Sequence, residues 1–267
     1  MNDAFRRRYG PWAVVAGGSE GLGAGFARAL ARRGLDLVLV AETDAPLAEL
    51  ARSLRRESGV AVRAVVIDLA RPDMLDHIAA ATRDISVGLV VCNAAHAPLG
   101  PFLTRTLEDK RRVLAVNCLA PLELVHHFGG LMAARGSGGV ILMSSVAGLQ
   151  GTALAATYAA SKAFARVLGE SLWEELRARG VDVLSVCPGP TRTPAYEATR
   201  PRRSRTVRAM EIEPVVEEAL AALGRRPVVV TGWPNRLSVA LLGLLPRRVA
   251  VRLVGATMRG IYPHIRE

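Results

Sequence analysis

Tyr158 and Lys162 stand four residues apart, and Ser145 lies thirteen residues before the tyrosine. On a helix, residues four apart share one face, so the ammonium can lie beside the phenol. A phenol ionises near pH 10. Two unit charges about 4 Å apart at an effective dielectric of ~20 interact by roughly 4 kcal/mol. That lowers the phenol by up to about three units before burial takes some back. The expectation is a phenol that gives or takes a proton near neutral pH, as a general acid or base must. Only Lys110 and Lys162 are lysines among 35 basic residues. A compact ammonium fits beside a phenol and a sugar hydroxyl where a planar guanidinium does not.

Such a group needs elements to hold it. Apolar, β-branched runs predict strands at Trp12–Ala16, Leu37–Val40, Val60–Ile67, Leu89–Cys92, Val140–Ser144, Val181–Val186 and Val228–Thr231. Continuous apolar runs suit strands buried on both faces of a parallel sheet. Helical patterns alternate with them at Gly21–Arg33, Ala45–Glu57, Pro72–Asp84, Leu107–Phe128, Tyr158–Ala178 and Pro214–Leu223. The alternation predicts an α/β fold, a Rossmann-like doubly wound, mostly parallel seven-stranded sheet with helices on both faces. No repeat or linker divides residues 1–267, which read as one domain. A polar, basic stretch near 190–213, containing Pro201-Arg202-Arg203-Ser204-Arg205, reads as a substrate lid or a solvated loop. An apolar tail with interposed arginines runs near 233–267, and its segment 236–259 is interrupted by Pro246. Core packing or a subunit contact is one reading of it, and an interfacial membrane helix the other.

Directly after the first strand comes Gly17-Gly18-Ser19-Glu20-Gly21-Leu22-Gly23, opening a helix. Glycines at 17, 21 and 23 allow a tight turn and close backbone approach to a pyrophosphate, and the helix N-terminus supplies N–H donors. Nucleotide choice is set after the second strand, where the chain reads Glu42-Thr43-Asp44 without a basic residue. Glu42, with Glu20 near the same edge, repels a 2′-phosphate, so NAD(H) is expected over NADP(H). Asp68, beside Leu69 at the end of the third strand, can accept a hydrogen bond from an adenine amine or cap the next helix.

Together these residues resemble the short-chain dehydrogenase/reductase family, in its shorter single-domain branch. Gly17-x-x-x-Gly21-x-Gly23 is similar to the family's nucleotide turn, and Cys92-Asn93-Ala94-Ala95 to its Asn-Asn-Ala-Gly element. Ser145 with Tyr158-x-x-x-Lys162 matches its catalytic motif, and Pro188-Gly189-Pro190-Thr191-Arg192-Thr193 its segment at the nicotinamide end. The resemblance implies hydride transfer between a nicotinamide cofactor and a secondary alcohol or ketone. Tyr158 would be the general acid/base, Lys162 would hold the cofactor ribose, and Ser145 (rather than Ser144) would orient the substrate oxygen. Asn117 would hold a water relaying protons from Lys162. Cofactor contacts are implied at Asn93, Ala94, Ala95, Tyr158, Lys162, Pro188, Gly189, Thr191 and Thr193. It also implies a homodimer or homotetramer through the helices at residues 107–128 and 158–178. Three departures stand out: Ala16 for a threonine, Cys92 for the first asparagine, and Ala95 for the glycine. A non-catalytic NAD(P)H-binding regulator is the alternative function, against which the intact triad weighs.

Half the 267 residues are hydrophobic, enough for a large core. The apolar content near lid and tail favours a lipophilic substrate, an acyl chain or a steroid-like ketone. A net charge of +11 permits acidic partners, although an arginine-rich solvated surface explains it equally. No aromatic-rich basic stripe accompanies it, so nucleic acid is not expected. Cys92, Cys118 and Cys187 lie far apart, without metal-ligand spacing. They suit a reducing compartment: a cytoplasmic protein, peripheral to the inner membrane face if the tail binds lipid.

Overall fold

The computed structural model describes residues 2–202 and 208–265. Seven parallel strands form one sheet: β1 (Trp12–Ala16), β2 (Asp36–Ala41), β3 (Val62–Val66), β4 (Val87–Cys92), β5 (Gly138–Met143), β6 (Val181–Cys187) and β7 (Val228–Val230). Their order is β3-β2-β1-β4-β5-β6-β7, so the winding reverses between β1 and β4. Ligands of such sheets bind beyond the strand carboxyl ends at that reversal.

Strand alternation assigns each side chain to one of two cores. Ala13 and Val15 of β1 face a layer made by α1 (Asn2–Tyr9), α2 (Gly21–Arg32), α3 (Asp44–Ser58) and α9 (Ile212–Ala222). Val14 and Ala16 face α4 (Met74–Thr82), α6 (Ala120–Arg135) and α7 (Ala156–Arg177), with Phe128, Leu124 and Met132 fully buried. Each such side chain contributes about 1.5–3 kcal/mol of transfer free energy. That burial fixes the register and therefore where the strand ends fall.

The predicted helix at Leu107–Phe128 is three pieces. Helix α5 (Leu107–Leu114) runs into a π-turn (Ala115–Leu119), and α6 continues to Arg135. The π-turn carries Asn117, whose side chain is tied to a neighbouring loop, and π-turns cluster at functional sites. Within the stretch expected to form a lid or a solvated loop, Thr193 caps the short helix α8 (Pro194–Ala198) by accepting from the Tyr196 N–H at 3.1 Å. Arg203, Ser204 and Arg205 of that loop lie outside the described residues. The tail forms α10 (Trp233–Gly243) and α11 (Arg247–Ile261), with Pro246 at the N-cap of α11. No helix among the described residues is long and apolar enough to cross a membrane.

Candidate active site

The glycine turn sits at the switch point and has no room for side chains. Gly17 has φ +80, and a Cβ there would lie 2.5 Å from the Ala94 backbone. A Cβ on Gly23 would lie 1.8 Å from the Gly17 carbonyl oxygen and 2.7 Å from Asn93 Nδ2. Asn93 Nδ2 donates to that carbonyl at 2.8 Å, and the Asn93 and Ala94 N–H groups donate to the Ala16 carbonyl at 2.9 and 2.8 Å. Backbone groups thus make the tie that a threonine hydroxyl at position 16 would have reinforced. Thr193 closes the turn from above, 3.1 Å from where a Gly21 Cβ would stand. No side chain caps α2, which leaves its first-turn N–H groups aimed into the crevice as anion donors. This cradle fits a dinucleotide pyrophosphate. Gly23→Ala is expected to cost about 1–3 kcal/mol of stability and to weaken nucleotide binding at least tenfold, by thermal melts and a fluorescence titration. Unchanged nucleotide affinity would remove the turn from the site.

Several expected contact residues turn their side chains elsewhere. Leu22 packs against the core and Leu69 is buried in it, leaving only their backbones to face a nucleotide. Thr191 is buried, its hydroxyl donating to the Gly189 carbonyl at 3.1 Å. A Cβ on Gly189 would lie 2.5 Å from the Asn235 amide, so α10 backs this segment. Glu20 is exposed beside the turn.

The edge beyond β2, expected to select the nucleotide, holds a cation that its own sequence lacks. Arg112 of α5 reaches over and donates to Glu42 and to Asp68, each at 2.8 Å. Burial works against the Asp68 carboxylate, but Arg112 and the Ala70 N–H outweigh it and hold its pKa below the usual range. Arg112 lies 70 residues from Glu42, and nothing in the local sequence signals the contact.

At the ends of β5 and the start of α7 the triad residues come together. Ser144 is buried and donates to the Lys162 carbonyl at 2.7 Å, a purely structural bond. Ser145 instead borders the Tyr158 phenol, and its hydroxyl accepts from the Ala147 N–H at 3.1 Å. Lys162 is 3% exposed. Its ammonium lies 5.6 Å from the Tyr158 ring centroid and donates to the Met143 carbonyl at 2.8 Å. The expected lowering of the phenol by this ammonium does not follow. Burial pushes the phenol above its ordinary value and nearby Tyr262 adds to the rise, while only the Ser145 hydroxyl opposes it. Burial also lowers the Lys162 ammonium to about 8, opposed by the three cysteines around it. Those cysteines are free and buried, and burial pushes Cys92 up to about 12.

Asn117 is buried with its amide fully engaged. Its Nδ2 donates to the His96 carbonyl and the Ser161 hydroxyl, both at 3.0 Å, and its Oδ1 accepts from the His96 N–H at 2.8 Å. Ser161 donates in turn to the Tyr158 carbonyl at 2.7 Å. The side chain therefore braces the loop after β4 against α7, with no N–H left for a water. His96 meets Asp109 at 2.7 Å, and Arg105 reaches the same carboxylate at 2.8 Å. These groups stand beside a small open cleft lined by Pro98, Arg105, Asp109, Lys110, Leu154 and Tyr158. Leu154 holds φ +62 there, a conformation a leucine rarely adopts. Its side chain packs with Ile261 and Tyr262 of the tail. Arg112, His96 and Tyr262 are the neighbours that sequence reasoning missed, since each comes from a remote segment.

The short chain dehydrogenase family profile matches residues 11–204. A 7beta-hydroxysteroid dehydrogenase of Clostridium sardiniense is 30% identical over 233 residues, 87% of this chain and 89% of that protein. A structure concerned with 7beta-hydroxysteroid dehydrogenase stereoselectivity superposes with a TM-score of 0.89 at 28% identity, covering 94% of this chain and 98% of the other. A short-chain dehydrogenase of Sphingobium yanoikuyae, solved with NADPH, gives 0.76 at 34% identity, covering 88% and 94%.

Proposed function

The chain belongs to the short-chain dehydrogenase family and is an NAD(P)-dependent oxidoreductase, and from that premise we propose that it interconverts a lipophilic secondary alcohol and its ketone with Tyr158 as the proton-transferring group. The observation that carries this reading is the Tyr158 phenol beside the Ser145 hydroxyl, with Tyr158 lining an open cleft. The nicotinamide cofactor supplies the hydride acceptor or donor.

The chain's residues do the rest. The turn at Gly17–Gly23 would hold the pyrophosphate, and Asn93, Ala94, Ala95 and the segment at Pro188–Thr193 would border the nicotinamide end. Ser145 orients the substrate oxygen by a hydrogen bond. A phenol whose pKa burial has raised is protonated at neutral pH, so Tyr158 serves as an acid toward a ketone more readily than as a base toward an alcohol. Lys162 lies over the ring face and stabilises negative charge as the phenol gives up its proton. Asn117 positions Tyr158 through Ser161. Residues 190–213 act as the lid, within a single domain of residues 1–267.

The hydroxysteroid dehydrogenase name of a relative supports a bulky lipophilic substrate. Exposed Leu114, Leu122, Phe164 and Val167 on α5 to α7 support a homodimer or homotetramer. A non-catalytic regulator has no observation in its favour: it would bury the Lys162 ammonium at a cost with no chemical return. The direct test is the absorbance of the reduced nicotinamide ring followed over a panel of lipophilic ketones; no turnover with any of them would overturn the reading.

Two carboxylates, Glu42 and Asp68, face one guanidinium, and Glu20 is exposed beside the glycine turn, a balance that favours NAD(H) on charge. Glu42→Arg is expected to shift the ratio of KM values for the two nucleotides at least tenfold toward NADP(H). An unchanged ratio would show that Glu42 does not read the ribose.

A further inference from the structure

We propose that α10 and α11 form a docking surface for an anionic lipid bilayer, placed beside the substrate cavity. Helix α10 buries none of its residues. Trp233, Leu237, Leu241 and Leu244 follow at i, i+4, i+8 and i+11, one stripe of a helix. They are 69, 51, 55 and 81% exposed. An isolated helix of this length is marginal in water, and helices in proteins gain their stability from an apolar face that something covers. Val249 and Leu253 extend the uncovered apolar surface onto α11.

The charge pattern selects the occupant. Residues 233–259 contain five arginines and no lysine, aspartate or glutamate. Arg236 is paired with Glu218. Arg248, Arg252 and Arg259 fall on one stripe of α11 by their spacing, and among the described residues none of them meets a carboxylate. A second copy of the chain docking through the same face about a two-fold axis would set arginine against arginine with no acid to relieve it. Anionic headgroups match the arginines, and the acyl boundary matches the tryptophan and leucine ridge. This is the composition of a helix lying in a membrane interface.

The location joins this surface to the site. The Arg247 guanidinium donates to the Leu149 carbonyl at 3.5 Å, and the Arg202 N–H of the lid donates to the Ile261 carbonyl at 2.8 Å. Ile261 and Tyr262 pack on Leu154 of the cavity wall. A lipophilic substrate partitioned into the bilayer would thus reach the cavity beside the docked tail. The surface itself stands on exposure and charge, independently of the role given to Tyr158.

The test is flotation of the full chain with liposomes of neutral phosphatidylcholine, alone or mixed with phosphatidylglycerol, at low and high salt. Binding is expected with the anionic liposomes at low salt, at least tenfold weaker with the neutral ones, and screened by high salt. Arg248→Gln with Arg252→Gln should weaken it about 25-fold, at roughly fivefold for each arginine near the surface. Leu237→Ser with Leu241→Ser should abolish it. Both pairs are exposed, so circular dichroism melts should match the parent protein, and catalytic turnover in detergent should be unchanged. Failure to float with anionic liposomes at low salt overturns the proposal. So does a concentration-dependent oligomer, seen by sedimentation velocity, that dissociates in the leucine variant without any liposome binding.

Discussion

Tyr158→Phe is expected to lower kcat about a thousandfold, within the range for loss of a general acid or base, while changing cofactor affinity less than threefold. The substitution removes one hydroxyl whose neighbour is Ser145 and leaves the ring that Lys162 overlies. Melting temperature should therefore hold. The pH dependence separates the two directions. Because burial raises the phenol above its ordinary value of 10.0, it stays protonated through neutral and mildly alkaline pH. Ketone reduction should be nearly flat up to about pH 9, and alcohol oxidation should climb with pH over the same range, since it needs the phenolate. A variant retaining a tenth of the parent's kcat would end the assignment of Tyr158.

Lys162→Met should divide activity from stability. Turnover is expected to fall at least a hundredfold, since the cation over the phenol ring is lost, and Lys162→Arg should rescue little because a guanidinium does not fit that space. Stability should move the other way. The ammonium titrates near 8 in the fold against an ordinary 10.5, a difference worth about 3 kcal/mol. The unpartnered Met143 carbonyl returns about 1 kcal/mol of that. At pH 7 the variant should melt a few degrees higher. The sign follows from proton counts. Below pH 8 the folded parent carries the buried cation at full cost. Between about 8 and 10.5 the unfolded chain binds more protons than the folded one, so the parent gains stability as pH rises. The variant's advantage should shrink across that window, as melts at pH 7, 9 and 10.5 would record. A variant that melts lower than the parent at pH 7 would mean the ammonium stabilises the fold.

The strands were legible because each is a continuous apolar run between turn residues, and the expected and observed spans share most of their positions. The glycine turn was legible for the same local reason: sterics at Gly17 and Gly23 act within a few residues. Contacts between distant segments were not. The π-turn at Asn117 keeps the apolar rhythm of a helix and differs by one residue of winding, which periodicity does not resolve. Spacing placed Lys162 on the face of Tyr158, where its ammonium lies over the ring and donates to the Met143 carbonyl, but burial raised the phenol where a fall was expected. The tail hid its structure because leucines with interposed arginines and a proline suit either a packed core or an exposed pair of helices.

Helix α5 looks in two directions. Arg112 clasps the two carboxylates at the sheet edge, while Asp109 and Val113, its neighbours along the same two turns, form part of the cavity wall beside Tyr158. A nucleotide that drew the guanidinium toward itself would pull on the element that also lines the cleft beside Tyr158. By thermodynamic reciprocity, whatever factor the first ligand adds to the affinity of the second is returned in equal measure. The affinities of nucleotide and substrate would then be linked through one short rod, touched at both of its sides.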